Sequence, residues 1–275
     1  MSYEGYQYLK LDPVAPGVLQ VTLNRPERLN AVTEDGFHEL LRIWGDIDAD
    51  PDVNVALVTG AGDAFCAGGD VAAEVEGTPA ERFHRQNERN TAAVWSLVNM
   101  RKPLVSAING VAVGAGVRLA LLADISVASD RTRLIDGHRR LGVTAGDHAA
   151  IVWPLLCGMA KAKYYLMRQA PISGPEADRL GLVSLCVPHD ELMATAIDIA
   201  TDLASGPQWS LRGTKRVLNH WMRVAGPAFE HSATLEAFDF LHDDAAEGIS
   251  AFREKRSPAY PSAGVTAASP GGEGQ

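Results

Sequence analysis

Two short stretches of small residues constrain the fold of this chain more than any other feature. They read Phe-Cys-Ala-Gly-Gly-Asp at residues 65–70 and Gly-Val-Ala-Val-Gly-Ala-Gly at residues 110–116. Each follows a run typical of a buried strand, at residues 55–59 or 104–108, and leads into a run with helical spacing. Small residues at such a turn let the backbone approach a ligand closely. One such turn alone is usually structural, whereas two indicate a repeated strand–turn–helix unit.

The same two turns predict a site for negative charge. The first turn of a helix has free N–H groups and lies at the positive end of the helix dipole. Two such N–H groups directed at one carbonyl oxygen would stabilise an enolate or a tetrahedral oxyanion. We therefore expect the two turns to form the halves of one oxyanion hole.

Elsewhere the apolar spacing predicts a consistent series of elements. Residues 33–47 and 80–100 have the period of amphipathic helices, with Thr33 as the N-cap of the first. Strands are expected at residues 18–24, 53–59, 102–109 and 125–128. This order predicts an α/β fold of stacked ββα units with parallel strand pairing.

The character of the chain changes after residue 189. Consecutive helices are predicted over residues 190–256, which separates a helical region from an α/β core at residues 1–189. Residues 257–275 are rich in Pro, Gly, Ser and Ala, so we expect a disordered tail there.

The composition argues against several classes of protein. The net charge of −9 makes binding to nucleic acids or to anionic membranes improbable. The apolar runs are too short or too interrupted to span a bilayer, and the first residues lack the pattern of a signal peptide. Three cysteines without metal-ligand spacing argue against a metal site or a disulfide framework. We therefore expect a cytoplasmic protein.

Four segments have the order and spacing of one enzyme superfamily. They read Asn-Arg-Pro-Glu-Arg-Leu-Asn-Ala at residues 24–31, Phe-Cys-Ala-Gly-Gly-Asp at 65–70, Lys-Pro to Asp-Ile at 102–125, and Ile-Ser to Gly-Leu-Val at 172–183. Over residues 18–255 the chain resembles the crotonase (enoyl-CoA hydratase/isomerase) superfamily. The resemblance implies a crotonase-like spiral of ββα units with a C-terminal helical oligomerisation region. It also implies a homotrimer or a dimer of trimers.

The resemblance further implies the ligand and its contacts. The ligand would be an acyl-CoA thioester, so coenzyme A arrives as part of the substrate and no cofactor is bound permanently. The oxyanion donors would be the backbone N–H groups of Ala67 and Ala115. The coenzyme A moiety would be bound by Arg28, Ala67, Gly68, Asp70, Val71 and Lys255. Lys255, with Arg256 beside it, would reach the 3′-phosphate, often from a neighbouring subunit.

Two positions depart from the hydratases of the superfamily. Those enzymes use two glutamates to hold and activate water. The first position, three residues after the second oxyanion donor, is Arg118 in this chain, and the second is His138. A guanidinium stays protonated and cannot serve as a general base, whereas an imidazole titrates near neutral pH. We expect Arg118 either to face the ligand or to form a structural ion pair.

His138 and Asp147 form a candidate catalytic pair. Asp147 lies nine residues after His138, and its carboxylate would orient one imidazole nitrogen and leave the other free as a base. Asp-Gly-His at residues 136–138 and Gly-Asp at 146–147 also resemble the crotonase-fold β-diketone hydrolases, which direct water at a ring carbonyl with a His/Asp pair and cleave a C–C bond. The alternatives are that His138 is a surface residue and that Asp147 is a helix N-cap.

Other acid–base candidates carry less weight, and three functions stay open. The further candidates are His148, Glu74, Glu76 and Glu236, whereas Cys66 is expected only to pack. The first function is an acyl-CoA lyase or isomerase, with hydratase the favoured reaction. The second is a C–C bond hydrolase that uses His138 and Asp147. The third is an acyl-CoA-binding protein with little turnover.

Overall fold

The computed structural model describes residues 3–70 and 76–264. The expected coenzyme A contact Val71 and the candidate base Glu74 lie outside these residues. Ten strands lie within them. They are β1 (Leu9–Ala15), β2 (Val18–Leu23), β3 (Val55–Gly60), β4 (Ala64–Cys66), β5 (Leu104–Ile108), β6 (Val111–Val113), β7 (Ile125–Ser129), β8 (Arg133–Ile135), β9 (Ile172–Ser173) and β10 (Leu185–Val187).

Helices follow the strands at regular intervals. The α-helices of the described residues are α1 (Glu34–Ala49), α2 (Pro79–Asn99), α3 (Ala115–Leu121), α4 (His138–Leu141), α5 (Ala149–Arg168), α6 (Gly174–Leu180), α7 (Leu192–Ser205), α8 (Gln208–Val224), α9 (Gly226–Asp239) and α10 (Asp243–Arg253). Short 3₁₀ helices lie at Pro26–Arg28, His189–Glu191 and Pro261–Ala263.

The strands divide between two sheets in a regular way. The larger sheet has the order β1-β2-β3-β5-β7-β10 and the smaller one the order β4-β6-β8-β9. Strands β3, β5 and β7 of the larger sheet are each followed along the chain by a strand of the smaller sheet and then by a helix. The ladders that join these successive units are parallel. This arrangement confirms the predicted α/β fold of ββα units with parallel pairing.

The smaller sheet determines where the candidate site lies. Strands β4, β6 and β8 are neighbours and run parallel, so their carboxyl ends meet at one edge of the sheet. The chain leaves these three ends through residues 67–70, 114–118 and 136–138. Every predicted catalytic residue except Asp147 lies in one of these segments.

Both faces of the larger sheet are covered, which explains the continuous apolar runs of its central strands. Along β3, Val55 and Leu57 pack with apolar side chains of α7. Ala56 and Val58 alternate with them and belong to the main core on the opposite face. The larger sheet is therefore the rigid layer on which the smaller sheet and its edge are held.

The first two helices begin at recognisable capping residues. Thr33 Oγ1 accepts a hydrogen bond from the backbone N–H of Gly36 at 3.1 Å, which confirms Thr33 as the N-cap of α1. Helix α2 begins one residue before its predicted start, where Thr78 and Glu81 cap it reciprocally. The cap fixes the start of a helix that supplies two amide side chains to the site.

The C-terminal region is helical, as predicted, but the chain after it is more ordered than predicted. Residues 257–264, expected to belong to a disordered tail, contact the short helix α4. The hydroxyl group of Tyr260 donates hydrogen bonds to the carbonyl oxygens of Arg139 at 2.7 Å and Arg140 at 3.0 Å. These bonds join segments that are distant in the chain, so composition does not reveal them. Residues 265–275 lie outside the described residues.

Helix α8 exposes a row of large apolar side chains, namely Trp209, Val217, Leu218, Trp221 and Val224. Contiguous apolar surface is typical of a face that another molecule covers.

Among the helices of residues 3–70 and 76–264, none combines the length and the apolar character that crossing a membrane requires.

Candidate active site

The first turn, after β4, uses one of its N–H groups internally. The N–H group of Ala67 donates a hydrogen bond to the carbonyl oxygen of Leu29 at 2.9 Å. This bond leaves Ala67 no backbone hydrogen for a ligand, so the prediction that Ala67 is an oxyanion donor is wrong. The physical reason is that the chain before α1 pairs with this turn, through Val32 N–H to Gly68 O and Asp70 N–H to Val32 O.

Gly69 is the candidate donor of this turn. The bridge to Val32 uses backbone atoms of Gly68 and Asp70, and no acceptor within the described residues bonds the N–H group of Gly69. Gly69 is also exposed. Gly68 adopts φ +92° and turns the backbone between Ala67 and Gly69. The candidate donor is therefore the N–H group of Gly69 and not that of Ala67.

The second turn, after β6, brings Ala115 to the first position of α3. The N–H group of Ala115 belongs to the first helical turn, whose N–H groups lack intrahelical acceptors. A Cβ at Gly116 would lie 2.3 Å from the carbonyl oxygen of Cys66, so the two turns touch because residue 116 is glycine. Ala115 therefore stays a candidate donor beside the first turn.

Arg118 lies one helical turn beyond Ala115 and is buried, with 7% of its surface exposed. Its Nη1 atom lies 3.6 Å from Oδ2 of Asp147. A buried guanidinium needs a counter-charge, so this contact favours the ion-pair alternative for Arg118. Burial raises the pKa of the neighbouring Cys66 thiol to about 11, against the opposing charge of Arg118, which agrees with a packing role for Cys66.

His138 is the first residue of α4 and is also 7% exposed, so the alternative of a surface residue is wrong. Its Nδ1–H donates a hydrogen bond to Oδ1 of Asp136 at 2.7 Å. Its Nε2 atom lies 3.4 Å from Oδ1 of Asp147 and 3.7 Å from Oε2 of Glu236. The structure brings His138 and Asp147 together, but the carboxylate that orients the imidazole is Asp136.

Asp147 is bound most closely by the residue that follows it. Its Oδ1 atom accepts hydrogen bonds from the backbone N–H of His148 at 2.7 Å and from Nδ1 of the same residue at 2.5 Å. Helix α5 begins at Ala149, with His148 in the N-cap position and no side-chain cap. Asp147 is therefore not the predicted helix N-cap. It instead connects His148, His138 and Arg118.

Glu236 of α9, one of the further acid–base candidates, completes this cluster. It is 3% exposed. Its Oε2 accepts a hydrogen bond from Nδ2 of Asn90 at 2.7 Å and its Oε1 accepts one from Nε2 of Gln86 at 3.3 Å, both from α2. Helical periodicity could have identified Glu236 as buried, because Phe229 and Ala233 share the buried face of α9 with it.

The charges of the cluster shift the pKa values of three groups. Burial lowers the pKa of His138, but three neighbouring carboxylates outweigh burial and hold it well above 6.5. Burial raises the pKa of Asp147, but the adjacent imidazoles and guanidinium hold it far below its ordinary value. Burial also raises the pKa of Glu236 to about 7, opposed by His138 and assisted by Asp147.

Two buried atoms of the cluster have no hydrogen-bond partner within the described residues. They are Nε2 of His148 and Oδ2 of Asp136. The His148 ring lies 6.3 Å from the His138 ring, measured between centroids. Unpaired buried polar atoms are uncommon in folded proteins and call for a functional explanation.

The expected coenzyme A residues near the first turn differ in exposure, since Asp70 is half-buried and Gly68 is buried. Arg28 ends the 3₁₀ helix Pro26–Arg28 and is exposed. Asp70 forms an ion pair with Arg25, whose Nη1 lies 2.9 Å from Oδ2 of Asp70. Arg25 therefore fixes the end of the turn that was expected to contact the coenzyme.

The expected C-terminal contacts separate into one residue that is paired and one that is exposed. Arg256 forms ion pairs with Glu247 and Glu254, so its charge is already compensated. Lys255 is exposed and lines a groove of about 440 Å³ with Arg140, Phe252 and Arg253. The groove retains the basic character that was expected of this region.

Known proteins resemble this chain over most of its length. A family model described as Enoyl-CoA hydratase/isomerase matches residues 14–263. The (E)-benzylidenesuccinyl-CoA hydratase of Thauera aromatica is 34% identical over 253 residues, which cover 90% of this chain and 96% of that protein. The 1,2-epoxyphenylacetyl-CoA isomerase of Escherichia coli is 30% identical over 260 residues, which cover 91% of this chain and 97% of that protein.

A solved structure shows the same architecture. The crystal structure of an enoyl-CoA hydratase/isomerase from Mycobacterium paratuberculosis matches with a TM-score of 0.81 and 30% identity, covering 90% of this chain and 99% of that one. This match confirms the crotonase-like fold. Together with the family match, it shows that the chain belongs to the enoyl-CoA hydratase/isomerase (crotonase) family.

Proposed function

We propose that this protein is an enzyme that acts on acyl-CoA thioesters and stabilises a thioester enolate with backbone N–H groups. The main support is the contact between the turns after β4 and β6, where Gly69 and Ala115 each offer an N–H group. Two donors directed at one thioester oxygen stabilise the enolate more than the neutral carbonyl. Water addition to an enoyl thioester and migration of its double bond both pass through such an enolate.

Proton transfer to and from the enolate would come from the buried cluster. Arg118 follows Ala115 by one helical turn, and its ion-pair partner Asp147 lies 3.4 Å from His138. By position, Arg118 and His138 replace the two glutamates of the hydratases, so the carboxyl groups must come from other residues. Asp136, Asp147 and Glu236 supply them.

Crotonyl-CoA provides the first test of this proposal. We expect its enone absorbance to fall as water adds, at a rate about 10²- to 10⁴-fold below that of a relative with both glutamates, the usual contribution of a positioned acid or base. A 3-enoyl-CoA would test isomerisation, since the enone absorbance then appears. Thermal stabilisation by these thioesters without turnover would identify a binding protein instead. If these thioesters are not turned over and do not stabilise the protein, the proposal is refuted.

C–C bond hydrolysis is a second candidate, favoured by the 3.4 Å separation between Nε2 of His138 and Oδ1 of Asp147. A His/Asp pair of this kind would direct water at a ring carbonyl. The contact between Nδ1 of His138 and Asp136 argues against it, because both imidazole nitrogens then face carboxylates. Incubation with a cyclic β-diketone tests this candidate. Ring opening, which needs no coenzyme A, would support C–C bond hydrolysis, and an intact ring would exclude it.

Arg28 and Lys255 are proposed to bind the phosphates of coenzyme A, with Gly68, Asp70 and Val71 beside the pantetheine chain. We expect Arg28→Ala and Lys255→Ala each to weaken binding of an acyl-CoA by about 1–2 kcal/mol, because each removes a charge-assisted contact. Calorimetric titration measures the affinity. Arg131→Ala is the control, since Arg131 is exposed and precedes β8, at the opposite end from the site. Unchanged affinity in both test variants would rule the assignment out.

The assembly is proposed from the same family resemblance. The exposed apolar row on α8 supports a homo-oligomer, a trimer or a dimer of trimers, in which residues 190–256 contact neighbouring subunits. Lys255 would then reach the coenzyme bound by a neighbouring subunit.

A further inference from the structure

We propose that Glu236 is the residue that carries the proton in this site, and that His138 acts beside it as a fixed cation. This inference rests on the proposed acyl-CoA chemistry and deepens it, because it replaces the imidazole base with a carboxyl group on α9. It is supported by the contacts of the two side chains and by the charge balance of the cluster.

The contacts of His138 leave no nitrogen free to act as a base. Nδ1 faces Oδ1 of Asp136 at 2.7 Å, and Nε2 faces Oδ1 of Asp147 at 3.4 Å and Oε2 of Glu236 at 3.7 Å. Ionised carboxylates only accept hydrogen bonds, so both nitrogens carry hydrogens in this environment. An imidazolium has no lone pair with which to accept a proton. His138 therefore supplies positive charge and not basicity.

Two positive and two negative side chains of the cluster balance without Glu236. Arg118 and the imidazolium of His138 are positive, and Asp136 and Asp147 are negative. An ionised Glu236 adds one uncompensated negative charge in a site where each of these side chains is less than a tenth exposed. Burying an uncompensated charge is costly, so Glu236 is the member that gains or loses a proton most readily.

His148 contacts the same cluster through Asp147. Its Nδ1–H donates to Asp147, and its buried Nε2 has no partner within the described residues.

Neutral partners hold Glu236 in place without supplying a counter-charge. Asn90 Nδ2 and Gln86 Nε2 donate to its two oxygens at 2.7 Å and 3.3 Å. Both amides donate N–H groups here, which lowers the pKa of Glu236 and opposes the effect of burial. On the other side, a Cβ at Gly146 would lie 2.5 Å from Cβ of Glu236, so this loop packs directly against the side chain. Burial raises the pKa of Glu236 to about 7, and both forms are therefore populated near neutral pH.

In water addition, Glu236 would both remove a proton from water and return it to the substrate. Ionised Glu236 accepts a proton from water while the water oxygen bonds to the β-carbon, and the electron pair of the double bond moves to the thioester as an enolate. The protonated carboxyl group then donates that proton to the α-carbon. This second transfer restores ionised Glu236 and yields the 3-hydroxyacyl thioester. The positive charge of His138 favours the ionised form that begins each cycle.

The Glu236→Gln variant removes the proton carrier and keeps the size of the side chain. We expect kcat/KM for crotonyl-CoA to fall by at least about 10²-fold. The wild-type rate should rise with pH through about 7 as Glu236 ionises, and this rise should be absent from the variant. Glu230→Gln is the matched control, because it makes the same change at an exposed position of α9. Wild-type kcat/KM in Glu236→Gln, or an unchanged pH profile, would overturn the proposal.

Infrared difference spectroscopy separates failure of this inference from failure of the proposed function. The spectrum of the wild type minus that of Glu236→Gln should contain the C=O band of a protonated carboxyl group in mildly acidic solution, and the band should vanish as the pH passes about 7. Absence of the band would overturn the inference even in a protein that turns over acyl-CoA thioesters. The band in a protein without that turnover would refute the proposed function, yet support Glu236 as the titrating group.

Discussion

The Ala115→Pro variant is expected to lose about 10²- to 10³-fold in kcat towards an acyl-CoA thioester, the typical cost of one missing oxyanion donor. Proline has no N–H group, so the substitution removes the proposed donor and places the ring Cδ atom where its hydrogen was. Proline is also favoured at the first position of a helix, which is the position of Ala115 in α3. The helix should therefore still form, and KM should change less than kcat because the donor acts mainly on the enolate.

Ala115→Ser is the matched control for this experiment. It keeps the N–H group and adds one hydroxyl group at a half-buried position. Steady-state kinetics with crotonyl-CoA measures the effect, and thermal unfolding of both variants checks that they fold alike. Similar kcat values for the two folded variants would show that the N–H group of Ala115 does not contact the oxyanion, and would leave Gly69 as the candidate donor.

The fold was predictable because each ββα unit carries its own local signals. Strands β3 and β5 are continuous apolar runs, and each leads after a few residues into small residues that precede a helix. The division of the strands between two sheets was not predictable in the same way. Strands β4, β6 and β8 have three residues each, which is too short for alternation to identify a buried face.

The two turns were predictable as a pair, but the identity of the donor in the first was not. The N–H group of Ala67 donates to the carbonyl oxygen of Leu29. That bond depends on how the preceding loop lies against the turn. Residue types in the turn do not encode the position of that loop. The proposed donor is therefore Gly69, two residues along the chain.

The charged cluster was predictable only in part, because its members come from distant segments. His138 and Asp147 were singled out by position in the family pattern. Glu236 reaches them from α9, and its amide partner Asn90 comes from α2. Contacts between separate helices have no local sequence pattern, although the buried face of α9 was readable from its periodicity.

His138→Ala and Asp147→Asn are each expected to lower kcat by at least about tenfold, and the double variant is expected to cost little more. Oδ1 of Asp147 lies 3.4 Å from Nε2 of His138, and Glu236 lies 3.7 Å from the same nitrogen. Removing either partner changes the charge of the buried cluster by one unit beside the proposed proton carrier. Residues that act as one unit show such non-additive losses. His231→Ala, at an exposed position of α9, is the control for loss of an imidazole.

The pH profiles of the two single variants should move in opposite directions. The positive charge of His138 lowers the pKa of Glu236 and the negative charge of Asp147 raises it. The wild-type rate is expected to rise near pH 7. The pH of this rise should therefore be higher in His138→Ala and lower in Asp147→Asn. Rates measured across this range decide between the two imidazole roles. If His138 were the base, its removal would abolish the ascending limb instead of shifting it. Additive losses in the double variant would show that the two side chains act independently.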